Sequence, residues 1–160
     1  MIQRIQTVYL FGVVVLCALI FVFPFGEITA GSSVYVFNAT GVHLHAENST
    51  TKLMSMVLVT IISIAALAIA LISILFFKKR LTQIMLCQFN ILLLAGLIVA
   101  VFYYFDEGQS MLASFNKDVT VSYDYDVAIF LPMISIILTF LASRAIKKDE
   151  KLIRSVDRIR

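Results

Sequence analysis

The sequence is poor in charged residues. Asp, Glu, Lys and Arg make up 14% of its 160 residues, whereas soluble domains carry about 25%. Apolar residues make up 61%, against roughly 45–50% in soluble domains. A surface with so little charge would aggregate in water. The composition therefore excludes an ordinary soluble domain and indicates a chain surrounded largely by lipid.

Tryptophan is absent, and cysteine occurs only twice. Cys17 and Cys87 both fall inside apolar runs, so the sequence has no framework of external disulfides. We interpret both cysteines as small buried side chains.

Four apolar runs are long enough to span a hydrocarbon core, which takes about 20 residues. They cover about residues 7–25, 53–77, 84–105 and 127–145, and no Asp, Glu or Lys lies inside them. Backbone groups in lipid must bond within their own segment, which predicts helices. Pro132 is expected to kink the fourth helix. The predicted fold is an all-α membrane protein, a four-helix transmembrane bundle forming a single domain over residues 1–160.

The distribution of cations predicts the orientation of the chain. Of the 13 Lys and Arg residues, only Lys52 and Lys117 lie in the first and third interhelical stretches, residues 26–52 and 106–126. Cations in short loops stay on the cytoplasmic side. Both termini and the tail, residues 146–160, are therefore predicted to be cytoplasmic, and loops 26–52 and 106–126 are predicted to lie outside.

Small residues predict how the second and third helices pack. The connection at 78–83 is short enough to force an antiparallel hairpin. Ser63, Ala66 and Ala70 follow a helical spacing in the second helix, and Gly96 and Ala100 are four apart in the third. Small side chains allow helix backbones to approach closely in lipid.

The two outer loops contain β-rich segments. Residues 34–37 and 42–45 flank a four-residue turn at 38–41, which predicts a hairpin. Residues 119–123 also alternate between apolar and polar side chains. We expect a small extracytoplasmic β-hairpin or sheet built from both loops, since two strands alone are marginal.

The tail carries the candidate interaction site. Leu152, Val156 and Ile159 follow a helical spacing, which predicts a C-terminal amphipathic helix. Lipid binding would need only its cations, so its interspersed acids favour specific pairs, such as Asp157 with Arg4 or with a protein partner. The candidate cytoplasmic interaction residues are Arg4, Lys148, Asp149, Glu150, Arg154, Asp157 and Arg158.

The sequence offers no pattern typical of an enzyme. His43 and His45 are the only histidines, and a metal site needs three or four ligands. No nucleophile–base pair or phosphate-binding loop is present. We expect no catalytic activity, cofactor, bound metal or nucleic-acid partner. Transporters usually carry an ionisable residue at the midplane, but Ser63, Ser73, Asn90 and Thr139 could still line one polar interior.

The two ends of the chain resemble a known family. Residues 1–7, MIQRIQT, and residues 147–160, KKDEKLIRSVDRIR, resemble the domain of unknown function 4293 family, small four-helix membrane proteins of Bacteroidota. The resemblance implies a bacterial inner membrane and brings no catalytic residues. Claudin-like tetraspan proteins are excluded, because they carry a Trp motif and an external cysteine pair.

Two functional hypotheses follow. The first is a non-enzymatic accessory or scaffold subunit, which would contact other membrane proteins through its cytoplasmic tail and outer loops. The alternative is a small channel or transporter.

Overall fold

Helices and a single sheet make up most of the structure, a computed structural model that describes residues 3–30, 33–46, 49–77, 79–115 and 121–157. The elements in chain order are α1 (Gln3–Leu19), β1 (Gly26–Ala30), β2 (Ser33–Asn38), β3 (Gly41–Ala46), β4 (Ser49–Met54), α2 (Val57–Leu75), α3 (Arg80–Phe115), β5 (Val121–Tyr125) and α4 (Leu131–Asp157). A 3₁₀ turn at Val127–Ile129 precedes α4.

The helices pack in a closed ring of neighbours. α1 packs on α2, α2 on α3, α3 on α4, and α4 on α1. The buried side chains of α2 fall at helical spacings of three and four residues. They are Val59, Ser63, Ala66, Ala70 and Ser73. The opposite faces expose large apolar residues along every helix, as expected for helices whose solvent is lipid.

Within the described residues, three helices are long and apolar enough to cross a membrane. They cover Val57–Leu75, Arg80–Ser110 and Val127–Ile153, and Ile5–Leu19 is a shorter apolar helix. These spans agree with the prediction of a membrane protein. The small antiparallel sheet confirms that strands accompany the helices, as predicted. Each of the four apolar runs in the sequence contains a helix.

The first helix is shorter than the predicted 7–25. α1 ends at Leu19 because the chain must reach the sheet soon afterwards. The N–H of Phe25 donates to the carbonyl of Phe37 at 2.7 Å, and the carbonyl of Phe25 accepts from Asp126 N–H at 3.0 Å. Phe25 therefore belongs to the strand ladder, and Pro24 cannot donate a helical hydrogen bond.

The fourth helix and the tail are one element, where we predicted a boundary at residue 146. α4 continues from Leu131 to Asp157 because no Gly or Pro follows Pro132 in it. Pro132 itself lies in the first turn, where its missing N–H has no helical acceptor to lose. The predicted kink at Pro132 was therefore wrong, because Pro132 lies at the start of α4.

The α2–α3 hairpin is confirmed, with α2 ending at Leu75 and α3 starting at Arg80. Ser63, Ala66, Ala70 and Ala100 are buried as predicted. The prediction for Gly96 was wrong: it lies on the exposed face of α3, and a Cβ there would meet nothing within 4 Å. Its position misses the buried stripe because Leu94 and Leu97 set that face.

All five strands form one antiparallel sheet in the order β4-β3-β2-β1-β5. The predicted hairpin is β2–β3, with Asn38 opposite Gly41, so its turn has two residues rather than four. The second loop contributes β5, which pairs with β1. Strands β1 and β4 were not predicted. The second predicted loop is also shorter, because α3 continues to Phe115.

The sheet closes one end of the helices, which we call the sheet end. Phe37 of β2 stacks on Phe105 of α3 with 4.3 Å between ring centroids. The Thr60 hydroxyl of α2 donates to the carbonyl of Ala39 in the β2–β3 turn at 2.6 Å. Phe25, Ile28, Phe37 and Met56 are buried in the same core as the helix interior. Sheet and helices therefore form one packed unit.

Gly26 provides a test of this close packing. An added Cβ would lie 2.6 Å from the carbonyl oxygen of Asp124 and 2.9 Å from the ring of Phe105. Gly26→Ala should lower the free energy of unfolding by about 1–3 kcal/mol, the usual cost of overpacking. Thermal unfolding in detergent, followed by circular dichroism, measures the effect.

Gly96→Ala is the matched control, because it adds the same methyl group where there is open space. It should leave stability unchanged or raise it by up to about 1 kcal/mol, since Ala is the better helix former. Equal midpoints for both variants would contradict the packing of β1 between β5 and α3.

Candidate functional site: the basic end

Cations gather at the end of the helices opposite the sheet. Lys79 and Arg80 lie where α2 passes into α3, and the last half of α4 runs antiparallel past them. That half of α4 exposes Arg144, Lys147, Lys148 and Lys151. We call this region the basic end. It forms because the short α2–α3 connection and the extended α4 bring their cations to the same end of the helices.

A groove of about 530 Å³ lies at the basic end between the start of α3 and the last turns of α4. Its lining residues are Lys79, Arg80, Leu81, Thr82, Glu150 and Ile153. Leu81 is 56% exposed and Ile153 is 44% exposed. The groove, which we call the terminal groove, thus presents apolar side chains framed by two cations and one carboxyl group.

A buried polar pair joins α1 to α4 at the basic end. The side-chain amide of Gln6 donates to Oδ2 of Asp149, and each residue is only 6% exposed. Within the described part of the chain, Oδ1 of Asp149 has no hydrogen-bond partner. Burial of polar groups is costly unless they are bonded, so this pair fixes how the N-terminal turns of α1 meet α4.

A second polar contact closes the α2–α3 hairpin. The Gln83 side chain donates to the carbonyl of Ser73 at 3.0 Å. The Ser73 hydroxyl lies 3.6 Å from the Cys87 sulfur. All three side chains are buried. Both cysteines are free, and neither is exposed, in agreement with the interpretation of Cys17 and Cys87 as buried side chains.

Comparison with known proteins identifies the family. The model of the family described as "Domain of unknown function (DUF4293)" matches residues 2–159. The chain belongs to the DUF4293 family. No curated protein matches it. The match includes both the first turns of α1 and the last turns of α4.

The structure places three of the predicted interaction residues of this DUF4293 protein. Lys148 is exposed, Asp149 is buried against Gln6, and Glu150 is half-buried in the terminal groove. The side chains of Arg4, Arg154 and Asp157, and the whole of Arg158, lie outside the described residues. The proposed pairing of Asp157 with Arg4 therefore stays a prediction.

Sequence reasoning did not single out Gln6, the partner of Asp149. Its signal is its position, because Gln6 shares the buried stripe of α1 with Leu10, Val13 and Cys17. A polar residue on the buried stripe of a helix needs a bonding partner. That spacing predicts a polar partner for Gln6 on a neighbouring helix, and the structure shows that the partner is Asp149 of α4.

The DUF4293 protein also buries the four residues of the predicted polar interior, Ser63, Ser73, Asn90 and Thr139. Thr139 donates to Ser135 O at 2.7 Å, so it is bonded within its own helix. Among the described residues, the Asn90 amide and the Ser63 hydroxyl have no hydrogen-bond partner. The described residues contain no group of three His, Cys, Asp or Glu side chains placed to hold a metal.

Proposed function

We propose that this DUF4293 protein is a non-enzymatic accessory or scaffold subunit of a larger membrane complex in a bacterial inner membrane of the Bacteroidota. All four helices cross the bilayer in this proposal, and the basic end faces the cytoplasm. Its terminal groove holds a segment of a partner protein.

The lengths of the helices support four crossings. α4 has 27 residues and is about 40 Å long, which exceeds a hydrocarbon core of about 30 Å. α1 has 17 residues and is about 26 Å long, and the apolar residues 20–23 extend its reach. Since α1 packs on both α2 and α4, it shares their environment.

The arrangement of charge supports the orientation. Lys79, Arg80 and the cations of α4 gather at the basic end, and cations near span ends favour the cytoplasmic side. Asp106, Glu107 and Asp124 are exposed at the sheet end. An even number of crossings then places both termini in the cytoplasm.

The terminal groove is the observation that carries the functional proposal. In the proposed orientation, Lys79 and Arg80 lie at the level of the lipid headgroups. Leu81 and Ile153, which are exposed and line the same groove, then lie at that level rather than in the hydrocarbon. Exposed apolar surface rimmed by polar residues is typical of interaction sites. The two flanking cations suit a partner helix that carries both apolar and acidic side chains.

Co-purification with matched variants tests the proposal. The tagged full chain is extracted from native membranes in mild detergent, as wild type, Ile153→Ser and Leu152→Ser. Leu152 is the control because it is 49% exposed and does not line the groove. We expect one partner in stoichiometric yield with wild type and Leu152→Ser, and about tenfold less with Ile153→Ser, since burying an Ile side chain is worth about 1.5–3 kcal/mol.

Two results would contradict the proposal. One is recovery of the wild-type chain without any stoichiometric partner. The other is equal retention of the partner by Ile153→Ser and Leu152→Ser, which would place the interface away from the groove.

A further inference from the structure

A second groove lies between α3 and α4, deeper along the helices than the terminal groove. Its volume is about 480 Å³. Its lining residues are Gln88, Ile91, Phe140, Ser143, Arg144 and Lys147. We call it the lateral groove. It shares no lining residue with the terminal groove.

The lateral groove changes from polar to apolar along its length. On α4, Lys147 and Arg144 lie nearer the basic end and Phe140 lies further in. On α3, which runs the opposite way, Gln88 lies nearer the basic end and Ile91 lies further in. Both walls therefore present polar groups toward the basic end and apolar groups toward the middle of the helices. A phospholipid has this same order, with its headgroup at the surface and its acyl chains inside.

The position of Arg144, further from the basic end than Lys79 and Arg80, favours binding of an anion in the lateral groove. Gln88 is eight residues beyond Arg80, the first residue of α3, which is about 12 Å along the helix axis. Arg144 lines the same groove as Gln88, so it lies below the level of Lys79 and Arg80. A charged side chain at this depth is costly unless it reaches the interface or meets an opposite charge.

Among the described residues, none that lines the lateral groove carries such an opposite charge. Two of these lining residues are cations, and none is Asp or Glu. The carboxyl groups nearest in sequence on α4 do not line this groove: Asp149 is bonded to Gln6 in the interior, and Glu150 lines the terminal groove. Ser143 and Gln88 add hydroxyl and amide donors beside the two cations. Arg and Lys with neutral donors are the groups that bind phosphate oxygens.

We propose that the lateral groove binds an anionic phospholipid of the leaflet at the basic end. Arg144 and Lys147 contact the headgroup phosphate, with Gln88 and Ser143 as further donors. One acyl chain lies on Ile91 and Phe140. Basic pockets between transmembrane helices on the cytoplasmic side are suited to anionic headgroups. The proposal needs only that α3 and α4 stand in a bilayer, so it does not depend on a protein partner in the terminal groove.

Native mass spectrometry of the full chain in mild detergent tests this assignment. The protein is titrated with phosphatidylglycerol and with phosphatidylcholine of the same acyl chains. We expect wild type to retain one phosphatidylglycerol with at least a tenfold preference. The double variant Arg144→Gln/Lys147→Gln should lose that preference. Inorganic phosphate at the same concentration should not displace the lipid, because it lacks the acyl contact with Ile91 and Phe140.

The control is Lys148→Gln/Lys151→Gln, which removes the same charge from exposed positions of α4 that do not line the groove. It should bind phosphatidylglycerol as wild type does. Equal loss in both double variants would overturn the proposal in favour of diffuse attraction. Displacement by inorganic phosphate would overturn it in favour of a free-anion site.

A measurement on wild type alone keeps the test independent of variant folding. Phosphatidylglycerol should raise the thermal unfolding midpoint in detergent more than phosphatidylcholine does. Equal shifts, or no retained lipid in the mass spectrum, would overturn the proposal. So would a tightly held protein segment that occupies the lateral groove, detected as a crosslink from Phe140 to another chain.

Discussion

Phe37→Ala should lower the free energy of unfolding by about 3–5 kcal/mol, the range for truncating a fully buried phenylalanine. The Phe37 side chain is fully buried, and its ring stacks on Phe105 at an interplanar angle of 20°. The ring also fills the space above Gly108, where an added Cβ would lie 2.7 Å from its Cζ atom. Truncation leaves a cavity between β2 and α3, where the Phe37 ring stacks on Phe105.

Denaturant unfolding of the full chain in detergent measures this loss. Phe130→Ala is the control, because Phe130 is 56% exposed and its truncation exchanges lipid or detergent contacts for others of the same kind. We expect its free energy of unfolding to stay within about 0.5 kcal/mol of wild type, as for most surface substitutions. A similar effect of both substitutions would contradict the packing of the sheet on α3.

The second large effect concerns Gln6 and Asp149. Gln6→Leu should lower the free energy of unfolding by about 3 kcal/mol, because it removes the one hydrogen bond that Asp149 accepts among the described residues. Asp149→Leu should cost about 1–3 kcal/mol, because it leaves the Gln6 amide buried without an acceptor.

The double variant Gln6→Leu/Asp149→Leu separates this pair from simple loss of packing. Two apolar side chains leave no buried polar group unbonded, so the double variant should be nearly as stable as wild type. The double-mutant cycle then gives a large coupling energy. Additive losses would contradict the pair and show that the two residues act separately.

The helices were predictable because a helix in lipid must carry apolar side chains along its whole length, and such a run is visible in the sequence. Runs of apolar residues longer than about 18 point to spanning helices whatever their detailed packing. Their ends were less predictable. Hydropathy falls at Asp106, but α3 continues to Phe115, because Glu, Gln, Met, Leu and Ala sustain a helix in water as well as in lipid. Apolarity alone carries no information on that extension.

The sheet was predictable where its strands had local signals. The β2–β3 hairpin has alternating side chains around a Gly-containing turn, and both features lie within one stretch of sequence. β1 begins directly after the apolar run that contains the first helix, so no break in the sequence separates its five residues from that run. β4 has the composition of a polar loop and becomes a strand through its pairing with β3. Such pairing depends on tertiary context.

The candidate site was predicted by its charges but not by its contacts. The tail cations and Glu150 were recognised in the sequence, and the structure brings Glu150 to the start of α3. Asp149 was predicted as a cytoplasmic interaction residue, and its side chain is buried against Gln6. The reason is the continuation of α4, which keeps one face of the tail against α1. Because the tail was predicted as an element separate from the fourth helix, the burial of this face could not be predicted.

The central claim is that the helices cross a bilayer with the basic end in the cytoplasm. Labelling of single cysteines in spheroplasts with a membrane-impermeant maleimide tests it most directly. With Cys17 and Cys87 replaced by Ala, one variant carries Ser122→Cys in β5 and another carries Lys151→Cys in α4, both at exposed positions. We predict that Ser122→Cys is labelled in intact spheroplasts and Lys151→Cys only after permeabilisation. Labelling of Lys151→Cys in intact spheroplasts would contradict the account.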